Sequence, residues 1–420
     1  MAAEKGWKVH QMDVKSAFLN GDLQEDVYMT QPPGFEVEGQ EHKVCKLIKA
    51  LYGLKQAPRA WYAKMDDYLK KVGFQRSESD DTLYVRQQGK YLVILVMYVY
   101  DLIITSNHDD HIAQVKKELH AGFKMTDLGL LHYYLGVEVF QRPHHIFISQ
   151  SKYAAEVLQR FGMQDCKPVL TPMEQNLKLS KFEGGEKVDS TTYRQLIGSL
   201  IYLTNTRPDL SYAVSILSRF MQEPRDSHWN AAKRVLRYIQ GTKDFGLLYT
   251  KTKNFVLGGY SDADFAGSID DRASTSGYLM NMGSAAVSWS CKKQATVATS
   301  SAEAEYISAW EAACEIVWLR RILQDLGISQ GEATSLFIDS QSAIKLAKNP
   351  VFHSKTKHVD TKYHHIRSLI AKDVLKPVYC PSEDQISDIF TKPLGRIKFT
   401  KFRDELGICC NVSLDHRGEC

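Results

Sequence analysis

Acidic side chains recur at the ends of apolar segments in the last third of the chain. Asp262 lies near the end of FVLGGYSDADF, and Asp339 closes SLFID; both segments have the apolar character of buried strands. Glu305 lies in the first half of a long helical segment, and Asp388 lies near the start of the last one. Because strand ends of a packed sheet meet at a shared crevice, we expect these acids to converge there.

Converging carboxylates repel one another unless cations lie between them. Hard oxygen ligands favour Mg²⁺ or Mn²⁺. Two such ions, about 4 Å apart, can hold the attacking water and the leaving oxygen of a phosphodiester. The acids together therefore predict a two-metal phosphodiesterase site, although any one Asp taken alone is more typical of a solvated strand end or a helix N-cap.

Glu303 competes with Glu305 for a place in this site. The two lie two residues apart on a predicted helix, so their side chains point to nearly opposite faces. Glu305 shares its face with a stripe of small residues that includes Ser308 and Ala312, which suits close packing on a sheet. We therefore select Glu305.

A separate acid, Asp101, lies in the first half of the chain within LVMYVYDLIITSN, residues 95–107. Two apolar, β-rich runs flank the sequence Tyr98-Val99-Tyr100-Asp101, which predicts a β-hairpin with an acid at its turn.

The elements around these acids indicate a multidomain protein of mixed α+β and α/β class. Residues 58–74 form an amphipathic helical pattern, residues 175–190 read as a linker, and residues 191–241 are helical with a break at 207–209. From about residue 254 the predicted order is β-β-β-α-β-α-β-α, typical of a mixed sheet. Its long helix has Ser300 or Ser301 as N-cap and ends at Gly327.

Composition narrows the class of protein. The 420 residues suffice for two or three domains, and 44% apolar and 24% charged residues are ordinary for a water-soluble protein. We find no apolar run of membrane-spanning length, and the first residues are too polar for a secretory signal. Eight scattered cysteines without a CxxC pair favour reduced thiols, and hence a cytosolic or nuclear protein. The net charge of +4 is a weak indication of an anionic partner.

A basic run covers residues 352–376, with six Lys or Arg, four His and two acids. It is consistent with a phosphate-facing surface or with a solvated helix face. A zinc site would need the four histidines, for which no cysteine partner is near: His353, His358, His364 and His365.

Residues 255–396 resemble the ribonuclease H domain of Copia-type long-terminal-repeat retrotransposons. The resemblance rests on GYSDADFAG, STSGYL, ATSSAEAEYISA, LFIDSQSAIKLAKN, KTKHVDTKYHHIR and ISDIFTKPL. It implies that Asp262, Glu305, Asp339 and Asp388 hold two Mg²⁺ or Mn²⁺ ions and that the substrate is the RNA strand of an RNA–DNA hybrid. Asp360 is the rival of Asp388 for the fourth position.

The first 163 residues resemble the reverse transcriptase of the same elements. The matching segments are QMDVKSAFLNGDLQEDVYMTQPPGF, VCKLIKALYGLKQAPRAWY, the hairpin, MTDLGLLHYYLGVEV and QSKYAAEVLQRFGM. The resemblance implies that Asp13 binds metal, that Phe18 excludes a ribose 2′-hydroxyl, and that Gln56 lies beside the incoming nucleotide. It also implies that Leu135 and Gly136 form the turn that steadies the primer end.

Tyr100 departs from this family's pattern. The family has Tyr-Val-Asp-Asp at the hairpin, so Tyr100 replaces the acid that bridges the two metal ions, and Asp101 alone remains. A phenol is neutral at pH 7 and bulkier than a carboxylate. Losing a bridging ligand should lower the polymerisation rate by roughly a thousandfold or more.

The start of the chain also indicates a defective polymerase. Members of the family have a substantial fingers segment before QMDVKSAF, whereas 12 residues precede Asp13 here. We therefore expect an N-terminally truncated polymerase that does not copy a template alone.

These resemblances imply four regions. They are a partial polymerase palm and thumb (1–174), a linker and helical connection (175–250), a ribonuclease H-like mixed-sheet domain (251–396) and a tail (397–420). We expect a ribonuclease H with a defective polymerase site; the alternative is an inactive nucleic-acid-binding remnant, and a DNA nuclease or integrase-like enzyme is disfavoured.

Partners and location follow from the same resemblance. Expected partners are an RNA–DNA hybrid and a primer–template, with no membrane; an oligomer or other retrotransposon proteins stay open. The expected location is a cytoplasmic virus-like particle or the nucleus, without secretion.

Overall fold

A computed structural model describes residues 1–182, 184–348 and 357–411, with the side chains of 357–363 left out. The described strands are β1 (Val9–Val14), β2 (Tyr28–Thr30), β3 (Val44–Lys46), β4 (Gln75–Arg76), β5 (Leu83–Gln88), β6 (Tyr91–Tyr98), β7 (Asp101–Ser106), β8 (Met125–Leu130), β9 (Tyr133–Tyr134), β10 (Val137–Arg142), β11 (His145–Ser149), β12 (Phe245–Thr250), β13 (Leu257–Asp264), β14 (Thr275–Met282), β15 (Ala285–Lys293), β16 (Thr334–Ile338), β17 (Leu375–Tyr379) and β18 (Ile408–Cys410). The described helices are α1 (Ala2–Lys5), α2 (Ala57–Lys71), α3 (Asp109–Gly122), α4 (Ser151–Arg160), α5 (Ser190–Leu203), α6 (Ser211–Ser218), α7 (Asp226–Gln240), α8 (Ser301–Asp325), α9 (Gln341–Lys348), α10 (Lys357–Ala371) and α11 (Arg396–Glu405).

The first sheet carries the predicted hairpin. Its strand order is β4-β5-β6-β7-β1-β8, and β6 and β7 pair with Tyr98 opposite Asp101. Helices α2 and α3 cover one face, because both have an apolar stripe whose members, such as Trp61 and Val115, are buried in the same core. The predicted hairpin and amphipathic helix are confirmed.

The second sheet joins three distant parts of the chain. Its order is β18-β12-β11-β10-β9, with β12 paired to β11 and β18 paired to β12. Strand β12 lies in the segment that the sequence assigns to the helical connection, and α11 and β18 lie in the segment assigned to the tail. These strands are short, and only their distant partners stabilise them.

Helices α5, α6 and α7 form the predicted helical connection, with the break at 207–209 confirmed as a 3₁₀ turn. The turn is held by a buried ion pair, in which the Arg207 guanidinium donates to both Asp209 oxygens at 2.9 and 2.8 Å. The Tyr238 hydroxyl also donates to Asp209 at 2.7 Å.

The third sheet is the predicted mixed sheet, in the order β15-β14-β13-β16-β17. Strands β13, β16 and β17 are parallel, and β14 and β15 are antiparallel additions. Two details of the prediction are wrong. Helix α10 is inserted before β17, and the last predicted helix near residue 388 is the 3₁₀ turn Ile386–Phe390, which ends three residues before Pro393.

Helix α8 crosses the third sheet and also contacts the first half of the chain. Its Asp325 carboxylate accepts a hydrogen bond from Ser77 Oγ at 2.5 Å, and the Trp318 indole donates to the Ser79 carbonyl at 3.2 Å. Among the helices that the structure describes, none is both long and apolar enough to cross a bilayer.

Candidate active site

Parallel pairing brings Asp262 and Asp339 together. Strands β13 and β16 align Ser261 with Ile338, so the next residue on each strand is one of the two acids. Asp262 is fully buried and Asp339 is half-buried. Both side chains therefore start from the same edge of the sheet, as the sequence predicts.

The turn Ile386–Phe390 supplies Asp388. Gln385, just before it, is buried and donates its side-chain N–H to the Ser261 and Phe337 carbonyls at 3.1 and 3.4 Å. One amide therefore ties the turn to the ends of both acid-bearing strands. One ligand oxygen from each of Asp262, Asp339 and Asp388 lies within 4.8 Å of the others, and this is the only such group among the described residues.

Helix α8 brings Glu305 to the same crevice. Its N-terminus is fixed by Ser300 Oγ, which accepts from the Glu303 backbone N–H, and the Glu303 carboxylate accepts from the Thr299 N–H at 2.8 Å. Glu303 is thus part of the cap. Glu305 is 8% exposed, and Ser308 Oγ next to it donates to the Asp262 carbonyl at 2.7 Å. The structure therefore places Glu305 in the crevice and Glu303 outside it.

Burial dominates the electrostatics of this crevice. It raises the pKa of Asp262 to about 7, and it raises the pKa of Glu305 well above its usual value, in both cases with help from the neighbouring carboxylates. Glu305 Oε2 is buried and has no hydrogen-bond partner among the described residues. A buried, unpaired carboxylate oxygen facing other acids is the environment that a bound cation stabilises.

Two lysines enter the site from the segment after Asp388. The Lys392 ammonium lies 3.2 Å from Asp262 Oδ1 and 2.7 Å from Asp388 Oδ1. Lys398 donates to the other Asp388 oxygen at 2.6 Å. Burial lowers the pKa of Lys392, but Asp262 and Asp388 outweigh it and the net pKa is raised. The ammonium of Lys392 thus occupies part of the space between two acids.

The four acids fit a hard divalent cation. They supply oxygen ligands alone, they converge from strands, helix and turn, and Glu305 offers an oxygen with no other partner. Lys392 and Lys398 engage both Asp388 oxygens. Lys392 and Thr391 likewise engage both Asp262 oxygens, so Glu305 Oε2 is the freest ligand atom of the four acids.

The structure describes the alternative metal ligands, Asp360 and the four histidines, only in part. The side chains of Asp360 and His358, and all of His353, lie outside the described residues. His364 is exposed, and His365 Nδ1 lies 3.9 Å from Cys314 Sγ on α8.

The hairpin site contains two acids side by side. Antiparallel pairing of β1 with β7 sets Asp13 opposite Asp101. Lys15 donates to Asp13 at 2.5 Å, and Gln11 donates to Asp101 at 2.9 Å. Tyr100 lies at the turn between β6 and β7 and is 48% exposed. Its side chain is a phenol, so this position supplies no carboxylate.

The hairpin turn is held in a strained conformation. Val99 has φ of 56°, which a β-branched residue rarely adopts. The Trp61 indole donates to the Val99 carbonyl at 2.6 Å, and the Val14 N–H donates to the Tyr100 carbonyl at 2.8 Å. These bonds keep the turn in place despite the Tyr100 side chain.

The structure also shows the local surroundings of the other residues that the resemblance assigns to the polymerase site. Phe18 is partly buried, with its ring 5.7 Å from that of Tyr52, and Gln56 is the N-cap of α2. Leu135 and Gly136 both have positive φ, and the Tyr202 hydroxyl donates to the Leu135 carbonyl. They form a tight turn that rests on the helical connection.

Sequence reasoning missed Lys392, Lys398, Gln385 and Lys15. The spacing of Asp388 and Lys392 carries a signal, since an acid and a lysine four residues apart pair on a helical turn. Gln385 gives none, because its partners are backbone carbonyls of distant strands.

The family described as reverse transcriptase (RNA-dependent DNA polymerase) matches residues 1–175 of the chain. The chain is 43% identical to the Pol polyprotein of transposon RE2 from Arabidopsis thaliana, over 97% of the chain and 28% of that protein. It is 42% identical to the Pol polyprotein of transposon TNT 1-94 from Nicotiana tabacum, over 98% of the chain and 32% of that protein. The chain thus spans less than a third of these two relatives.

A shorter relative is covered completely. A transposon Ty5-1 protein of Saccharomyces cerevisiae is 37% identical over 73% of the chain and 100% of its own length. Among solved structures, a foamy viral protease-reverse transcriptase in complex with dsDNA matches 89% of the chain and 68% of its own, with a TM-score of 0.51 and 12% identity. At that identity the likeness concerns the fold.

Proposed function

The chain belongs to the family of Copia-type retrotransposon Pol polyproteins with a reverse transcriptase domain, and on that premise we propose that it is a ribonuclease H. In this proposal it hydrolyses the RNA strand of an RNA–DNA hybrid, and its polymerase site is defective.

The convergence of the buried acids carries the nuclease part of the proposal. Asp262, Asp339 and Asp388 meet within 4.8 Å, and Glu305 adds a buried oxygen without a partner. Mg²⁺ or Mn²⁺ held by these acids would supply Lewis-acid activation of water and of the scissile phosphate. Two ions are proposed, as the resemblance implies.

The protein's own groups position this chemistry. Gln385 and Ser308 fix the turn and the helix against the strand ends, so the carboxylates are oriented by hydrogen bonds outside the crevice. Lys392 offsets the repulsion between Asp262 and Asp388 before substrate binds. Its ammonium lies beside these acids, so it would also attract the phosphate of a bound substrate.

The Tyr100 side chain carries the polymerase part of the proposal. Asp13 and Asp101 lie side by side, and Tyr100 stands at the position where the family's pattern has the bridging acid. The roughly thousandfold loss expected for a missing bridging ligand would leave polymerisation negligible.

The alternative is an inactive, nucleic-acid-binding remnant, and one observation favours it. Both oxygens of Asp388 are engaged by Lys392 and Lys398, which would leave Asp388 a poor metal ligand. A cleavage assay separates the two hypotheses.

The test uses purified chain, Mg²⁺ or Mn²⁺ and a hybrid labelled on the RNA strand. Asp262→Asn and Glu305→Gln serve as near-isosteric controls. We expect RNA cutting by the parent and at least about a hundredfold less by either variant. Equal cutting by all three would reveal a contaminant, and no cutting by a folded parent would favour the remnant.

We also propose that the chain acts in cytoplasmic virus-like particles or in the nucleus, where RNA–DNA hybrids of such elements would be met. Fractionation of cells that express it tests this, and recovery only from the culture medium would contradict it.

A further inference from the structure

A recess of about 260 Å³ lies beside the acid crevice, between the predicted linker, the end of α6 and the loop that follows β13. We define it as the basic recess by Lys178, Arg219, Arg272 and Lys392, which surround Asp264. Lys392 is shared with the crevice, because its ammonium contacts Asp262 and Asp388. One side chain therefore separates the two sites.

Three of the four cations that define the recess are not paired with an acid in the described part of the chain. Among the residues that the structure describes, Lys178, Arg219 and Arg272 form no ion pair. Arg219 donates one guanidinium N–H to Thr275 Oγ1 at 2.9 Å, while its buried Nε has no hydrogen-bond partner. An unpaired buried donor is costly unless a ligand accepts from it.

Asp264 and Asp270 line the recess as well, but Lys178, Lys181, Arg219 and Arg272 outnumber them. The arrangement leaves a surplus of positive charge in a concave surface, which suits an anion with several acceptor oxygens.

The predicted linker is anchored at this place. Asp270, in the loop after β13, accepts from Ser180 Oγ at 2.6 Å and from the Lys181 N–H at 3.1 Å. Lys178 is thereby held over the recess by a segment outside the ribonuclease-like sheet. Residues 176–179 and 181 of the predicted linker therefore line the recess.

We propose that the basic recess binds a backbone phosphate of the hybrid, next to the phosphodiester that is cut. The inference rests on the proposed function and extends it to residues of the linker and of α6. The recess and the crevice together would hold two phosphates of one substrate, and the recess would fix the substrate's register over the acids.

The test measures hybrid binding by the full chain in which Asp262→Asn prevents cutting. Lys178→Gln and Arg272→Gln are added together; both side chains are exposed, so the fold is retained. The matched control adds Lys251→Gln and Lys253→Gln, two exposed lysines that do not line the recess. Anisotropy of a fluorescent hybrid is followed between about 50 and 200 mM salt with Mg²⁺.

We expect the recess pair to weaken hybrid binding about tenfold at the lower salt and to reduce the slope of log K against log salt by about 1 to 2. The control pair should stay within about twofold of the parent. Equal affinities and slopes for both pairs would overturn the proposal, and so would no hybrid binding by the parent. A recess that bound only free inorganic phosphate, measured by calorimetry, would leave hybrid affinity unchanged and would also contradict it.

Failure of the proposed function is recognised by a different result. In that case the chain with Asp262 intact does not cut RNA, whatever effect the recess variants have on hybrid binding.

Discussion

Lys392 occupies space between two carboxylates that the sequence assigns to metal ions. Asp262 is fully buried, and an uncompensated buried charge costs several kcal/mol. Lys392 contacts both Asp262 and Asp388, so it stabilises the metal-free site.

Replacing this lysine should therefore destabilise the protein most when metal is absent. We expect Lys392→Met to lower the free energy of unfolding by about 1–3 kcal/mol in EDTA, and Mg²⁺ to restore part of the loss. Urea unfolding at pH 8 measures both. Lys401→Met, which removes an exposed pair with Asp384, should cost less than about 1 kcal/mol. An equal loss for Lys392→Met with and without Mg²⁺ would contradict this role.

Tyr100 is the second residue whose chemistry can be tested alone. Tyr100→Asp should add a carboxylate to Asp13 and Asp101 and strengthen Mn²⁺ binding at the hairpin by about tenfold or more. Calorimetry in an Asp262→Asn background measures this, with Tyr100→Asn as the neutral control. The same Mn²⁺ affinity for the Asp and Asn variants would mean that the hairpin does not form a metal site.

For single residues, the sequence predicts which side chains belong to the acid site better than it predicts their hydrogen-bond partners. Glu305 is distinguished from Glu303 by helical periodicity alone, and the structure places the two accordingly. Lys398 and Gln385 escape prediction because their partners are reached through the fold, not through local spacing.

Gly277 allows the turn Ile386–Phe390 to approach strand β14. A Cβ at Gly277 would lie 2.7 Å from Phe390 Cβ and 2.7 Å from Thr391 Cγ2, so the turn that carries Asp388 would have to move. The turn must therefore pack closely on β14 for Asp388 to reach the other acids.

Gly277→Ala should consequently impair cutting more than folding. We expect about a tenfold or greater loss of hybrid cleavage, with about 1–3 kcal/mol of destabilisation from overpacking. The control is Gly198→Ala in α5, where a Cβ would meet nothing within 4 Å and alanine favours the helix. Unchanged cleavage by Gly277→Ala would show that the turn tolerates displacement.

Elements with strong local signals are predicted well. Helix α8 has its N-cap at Ser300 and ends before Gly327, whose φ is 72°, and the hairpin has β-rich runs on either side of its turn. Strands β12 and β18 are not predicted, because each pairs with segments that are distant in the sequence.

The whole molecule is held together across its two halves. The second sheet combines β11, β12 and β18. Helix α8 in addition contacts the first half through Asp325 and Trp318. The two halves of the chain therefore stabilise each other through direct contacts.

Weakening the second sheet should destabilise both halves. Ile408, in β18, is 2% exposed, whereas Ile397, in α11, is 88% exposed. We expect Ile408→Ala to cost about 2–5 kcal/mol and Ile397→Ala less than about 0.5 kcal/mol. Urea unfolding followed by tryptophan fluorescence and by hydrogen exchange measures the effect. Loss of protection in only one half for Ile408→Ala would contradict coupling through the sheet.

A working ribonuclease H beside a defective polymerase can be tested with a single substrate that reports both activities. An RNA template labelled at its end is annealed to a DNA primer that carries a second label, and the chain is added with Mg²⁺ and all four deoxynucleotides. We expect the RNA strand to be shortened within the hybrid while the primer keeps its length. Primer extension by the chain, or an intact RNA strand after incubation with folded chain, would contradict it.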